Sequence, residues 1–142
     1  MLPEVNKTYN LTKDLEGCSI AGASSRAISA CTVAWERPDQ FRKVISLIGG
    51  FTNIRGGDAY LGEVRETERK PIRVFIQDGV LDHGNPRDAS RDWHLRNRAM
   101  VAALKQERYG MPLAFGEGGH SDDHGDAILP DILRRIWRHD PK

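Results

Sequence analysis

The chain has 142 residues, 39% of them hydrophobic and 29% charged, which fits one ordinary domain with a single core and excludes a disordered polyelectrolyte. Lys+Arg at 21 against Asp+Glu at 20 leaves a net charge of +1, so no nucleic-acid partner is expected. No apolar run approaches the roughly 18 residues of a membrane span, and Met1-Leu2-Pro3-Glu4 lacks the layout of a signal peptide, so the expectation is no membrane partner and a cytoplasmic product.

Leu2, Val5 and Tyr9 fall at helical spacing and predict a short opening helix, followed by a turn-rich stretch at 10–14. Ser19-Ile20-Ala21 predicts a strand ended by Gly22. Ala27, Ile28, Cys31, Thr32 and Trp35 then trace one face of a helix that Pro38 stops. Lys43–Ile48 predicts a buried strand ended by Gly49-Gly50, and 51–70 an irregular excursion. Ile72–Ile76 predicts a third strand, opening onto a polar loop at 80–90. Trp93, Asn97, Met100, Val101 and Leu104 form a helical stripe, with Gly110 expected to supply a left-handed C-cap. Met111–Phe115 is the fourth predicted strand, 116–126 a glycine-, acid- and His-rich loop, and Leu129, Ile132, Leu133 and Ile136 a last amphipathic helix ending at Trp137.

Alternating strands and helices predict a three-layer α/β sandwich over residues 1–142, with about four mainly parallel strands and helices on both faces. In such sheets ligands sit beyond the carboxyl ends of the strands, so the post-strand loops at 22–26, 78–88 and 116–126 should gather on one rim.

Gly22-Ala23-Ser24-Ser25-Arg26 matches the nucleophile-elbow pattern G-x-S-x-G except at its last position. A serine at such a turn holds Oγ away from its own backbone, so Ser24 is the candidate nucleophile and the Ser25 N–H the candidate oxyanion donor. The plainer reading makes Ser24 a helix N-cap. Asp82 and His120, each on a post-strand loop, complete the order Ser, Asp, His: a base for the alcohol, and a carboxylate to orient the imidazole. Asp78 competes with Asp82 for the acid, and His120 has a plain reading as a surface loop residue. A rival reading gathers His120, Asp122, Asp123, His124 and Asp126 with Asp82 and His83 around zinc or iron, but the spacing fits no familiar metal motif, so the expectation is no metal.

Trp35, Trp93 and Trp137 read as packing, Arg134-Arg135 and the 65–70 charges as solvated surface, and 49–53 as a stretch able to line a pocket. Cys18 and Cys31 read as buried small hydrophobes rather than a disulfide.

Taken together, Ile20-Ala21-Gly22-Ala23-Ser24-Ser25, Trp35-Glu36-Arg37-Pro38-Asp39-Gln40-Phe41, Phe75-Ile76-Gln77-Asp78-Gly79 and Gly118-Gly119-His120-Ser121 resemble an esterase family of α/β-hydrolases, the enterochelin-esterase-like and esterase-D-like group. The resemblance covers only the C-terminal half of that fold. It implies a serine esterase for small carboxylic esters working through an acyl-enzyme, with Ser24 as nucleophile, Asp82 as acid and His120 as base, and no cofactor. The alternative is a catalytically silent fragment serving as a structural or interaction module. Arg26 departs from the small residue of the family and is expected to crowd the turn or reach over the pocket. The loop that donates a second oxyanion N–H in that family lies outside the resemblance. A bare edge beside the first strand predicts a homo-oligomer, a dimer that extends the sheet across a two-fold axis.

Overall fold

The computed structural model describes residues 2–85, 87–110 and 113–138. Its elements in chain order are α1 (Leu2–Val5), β1 (Ser19–Ala23), α2 (Ser25–Glu36), β2 (Lys43–Leu47), α3 (Tyr60–Glu66), β3 (Arg73–Gly79), α4 (Trp93–Gln106), β4 (Leu113–Gly116) and α5 (Asp123–Ile136). The four strands form one parallel sheet in the order β1-β2-β3-β4, with Ile20 opposite Val44 and Val44 opposite Val74.

That sequential order dictates where the helices go. Right-handed crossovers stepping one strand at a time in one direction put every connecting helix on the same face. Accordingly α2, α3 and α4 share one cluster, in which Ile28, Trp35, Tyr60, Val64, Met100 and Leu104 pack on Val44, Val74 and Ile76. α5, which follows the last strand, covers the other face alone: Ile132 and Ile136 meet Ile45 and Phe75. The period-2 alternation of β2 and β3 serves both layers, Val44 and Val74 facing one way, Ile45 and Phe75 the other. Ile132 and Ile136 are fully buried, and truncating either to Ala should cost ~2–5 kcal/mol. The three-layer expectation holds, with the layers unequal: α5 packs on β2 and β3, and Ala21 of β1 is exposed.

Four details differ from the sequence reading. The excursion at 51–70 contains α3, a two-turn helix whose Tyr60 and Val64, four apart, are buried while Gly62 interrupts any longer pattern. The left-handed residue after α4 is Arg108 at φ 58, two positions before Gly110, and the Tyr109 N–H closes back on the Leu104 carbonyl at 2.9 Å. The last strand is Leu113–Gly116, and Met111 lies outside the described residues. α5 begins at Asp123, so His124 and Asp126 are helical rather than in the loop. Both cysteines are free. Burial pushes the Cys31 thiol up to about 12, which leaves it inert as a nucleophile, and Cys18 is half-buried.

Candidate active site

The turn from β1 into α2 is the elbow the sequence describes. Ser24 sits at φ 55, ψ −130, a conformation that costs a non-glycine residue roughly 1–3 kcal/mol and has to be held by its surroundings. One restraint is the Ser24 N–H donating to the Leu47 carbonyl at 2.9 Å. The other is close packing at Gly22, where a β-carbon would lie 2.3 Å from the Arg26 carbonyl oxygen. The Ser24 hydroxyl makes no capping bond to α2, which removes the N-cap reading; it lies 2.9 Å from His120 Nε2 instead. Ser25 is the first residue of α2, so its N–H has no intrahelical partner. Arg26 is exposed and absent from the hollow beside Ser24, contrary to the expected crowding: the glycine that the turn requires is Gly22.

β4 lies three positions from β1 in the sheet, roughly 14 Å at ordinary strand spacing, so a histidine after β4 reaches the elbow only if its loop leans back across β3. It does. Val80 N–H donates to the Gly116 carbonyl at 2.9 Å and Leu81 N–H to the Gly118 carbonyl at 2.8 Å. Gly79 permits the approach, because a β-carbon there would stand 2.4 Å from the Gly118 oxygen, and Gly118 itself has φ +122.

Asp82 is 3% exposed, and its Oδ2 lies 2.7 Å from His120 Nδ1. A carboxylate offers only acceptor sites, so Nδ1–H donates to it and Nε2 is left to accept the Ser24 hydroxyl proton. The Asp82 carbonyl also accepts from the His94 N–H at 2.9 Å, which ties the loop to the first turn of α4. Asp78 does not reach His120; it is buried and accepts from Asn97 Nδ2 at 2.8 Å.

Trp93, expected to be packing, belongs to the site. Its ring meets the His120 ring edge-on with centroids 5.5 Å apart. It fits between two glycines: a β-carbon at Gly50 would lie 2.2 Å from its Nε1, and one at Gly84 2.0 Å from its Cζ3. With Ser24, Ser25, Gly50 and Thr52 it lines a hollow of about 20 Å³, room for about one water, so part of the 49–53 stretch does face the site. The signal for Trp93 was its place as the first residue of a helix that starts after a strand-end loop, which the helical stripe masked.

The remaining acids and histidines of 120–126 divide between other tasks. Ser121 Oγ donates to Asp123 at 2.7 Å, and His124 on α5 pairs with Gln77 at 3.1 Å, over Gly116. His83 pairs with Asp92 at 3.0 Å, and Asp92 caps α4. A cavity of about 940 Å³ lies at the other end of the strands, between 2–19 and Phe41 and Trp137; none of the candidate residues lines it.

No protein-family profile and no curated protein matches the chain. Solved structures do. Over 96% of this chain, a ferulic acid esterase superimposes with a TM-score of 0.76 at 18% identity, across 57% of its own length. S-formylglutathione hydrolase from Staphylococcus aureus gives 0.73 at 18%, also over 57% of that chain, and enterobactin esterase from Shigella flexneri 0.77 at 21%, over 34%. The fold is therefore that of the esterase-like α/β-hydrolases. The chain spans between a third and three-fifths of the length of these three structures.

Proposed function

We propose that this chain is a serine-type hydrolase of small carboxylic esters. The reading rests on one observation: a single imidazole, His120, is bonded at once to the Ser24 hydroxyl at 2.9 Å and to the Asp82 carboxylate at 2.7 Å. Ser24 Oγ attacks the ester carbonyl carbon as Nε2 of His120 takes its proton, and Asp82 steadies the imidazolium. The oxyanion forms against the Ser25 N–H. Collapse expels the alcohol, which receives the proton from His120, and water repeats the steps on the acyl-enzyme to release the acid. With His120 39% exposed, the site is open to small substrates from solvent. Hydrolysis of p-nitrophenyl acetate tests this reading: Ser24→Ala should lower the rate by roughly 10³-fold or more, and a rate that survives the substitution rejects Ser24 as nucleophile.

The second reading, a catalytically silent module, draws on the share of the α/β-hydrolase fold present, at most 57% of the three structures compared. That reading expects no turnover above the Ser24→Ala control.

A further inference from the structure

Behind Asp82 stands a second carboxyl that the proposed hydrolysis does not use. Asp78 is the penultimate residue of β3 and is wholly shut from solvent. Its Oδ2 accepts from Asn97 Nδ2 at 2.8 Å; its Oδ1 finds no donor among the described residues. An imidazole nitrogen, His94 Nδ1, stands 4.0 Å from Oδ2, beyond hydrogen-bond reach, and is itself buried with no hydrogen-bond partner among the described residues. Phe115, the register partner of Asp78 on β4, is apolar.

The Asp82 N–H donates to the Gly79 carbonyl at 3.2 Å, a tight turn that brings residue 82 back beside the end of β3, and the Asp82 carboxyl is the neighbour whose charge and hydrogen bonding push the Asp78 carboxyl up. Two carboxylates have no donor between them, so this contact is a hydrogen bond only when one side carries a proton. Asp82 already accepts the Nδ1–H of His120, which marks it as the ionised partner. Asp78, buried and short of donors, is the better place for the proton.

We propose that Asp78 is a neutral acid that donates its proton to the Asp82 carboxylate, a positioning residue fixing the oxygen that orients His120. Burial, with the Asp82 charge adding to it against the Asn97 bond, pushes the Asp78 carboxyl up to about 7. The other titratable groups around the pair are His94 on α4, with His83 and Asp92 beyond it, and His120 on the loop after β4. As Asp78 ionises, the Asp82 carboxylate loses its donor and gains a buried like charge. The kinetic consequence rests on the ester-hydrolase reading; the proton does not.

Carbon-13 NMR of the chain labelled at aspartate Cγ, without substrate, reads the proton directly. One carboxyl should titrate near neutrality. Its transition should vanish in Asp78→Asn, whose amide both donates to Asp82 and accepts from Asn97, and move to lower pH in Asp82→Asn, which removes the adjacent charge. In p-nitrophenyl acetate turnover, the wild-type chain should show an alkaline fall in kcat/KM near pH 7 that Asp78→Asn lacks, while Asp78→Ala should lower kcat by up to roughly 10²-fold with KM unchanged. Aspartates that all titrate in the ordinary carboxylate range overturn the proposal, as does a neutral transition that survives Asp78→Asn or is lost in His94→Gln, which assigns the proton to histidine. A titrating Asp78 in a chain that hydrolyses no ester upholds the shared proton and rejects the esterase reading alone.

Discussion

A β-carbon on Gly79 would stand 2.4 Å from the carbonyl oxygen of Gly118, so the end of β3 and the loop carrying His120 are in contact only because position 79 has no side chain. Both neighbours are backbone, and neither can rotate away. Gly79→Ala should push the 116–121 loop outward and misplace His120 relative to Ser24, lowering kcat by roughly 10²-fold. The overpacking should cost ~1–3 kcal/mol, read as a lower Tm. Unchanged turnover would show that the loop tolerates the displacement.

At the other end of the same hydrogen-bonded set, Gly22 and Arg26 make a contrasting pair. Gly22→Ala places a methyl 2.3 Å from the Arg26 carbonyl oxygen and should destabilise the elbow by ~1–3 kcal/mol. Arg26→Ala removes an exposed side chain and should shift stability by less than ~0.5 kcal/mol. Thermal unfolding of the two variants side by side checks the ordering; a larger loss in Arg26→Ala would contradict it.

The raised carboxyl of Asp78 also sets a pH dependence of stability. Its native value, about 7, exceeds the ordinary 3.8, so between these values the folded state holds a proton that the unfolded chain gives up. The contribution is full below about pH 4 and is lost as pH rises through 7. The change amounts to at most ~4 kcal/mol, from about three pH units at 1.36 kcal/mol each. Asp78→Asn removes this dependence, so the wild-type Tm should fall relative to that variant from pH 5 to pH 8. Parallel curves would contradict it.

β1 pairs with β2 on one side, and Ala21 is exposed, α5 packing mainly on β2 and β3. A two-fold axis normal to the sheet would lay β1 antiparallel to its copy and pair both edges at once. A dimer of this chain paired through β1 is proposed; it should appear in light scattering at micromolar concentration, and Ala21→Lys, an edge charge, should shift it toward monomer. A wild-type chain that is monomeric at that concentration contradicts the pairing.

The candidate site was legible where it depended on order along the chain. Ser24, Asp82 and His120 each follow a strand, and a parallel sheet brings such loops to one rim whatever their side chains. The apolar run at 43–48 and the β-branched run at 72–76 likewise marked two strands of the sheet. What was hidden depended on distances between segments far apart in sequence. Trp93 opens a helical stripe and read as packing; only the fold shows it held between Gly50 and Gly84 against His120. Arg26 looked obstructive because the motif was read as a string, whereas the close contact in space is between Gly22 and the backbone at 26. Asp78 and Asp82 were competitors for one role in the sequence; burial and Asn97 separate them. α3 escaped because seven residues that include a glycine give too short a pattern to outweigh the glycines before it.

The central claim, that His120 activates Ser24, is tested most directly by intact-mass measurement after exposure to a fluorophosphonate, with the modified peptide sequenced. The account predicts one adduct per chain, on Ser24, whose formation slows by at least roughly 10³-fold in His120→Ala. An adduct on another residue, or labelling of Ser24 at the same rate without the imidazole, would contradict it.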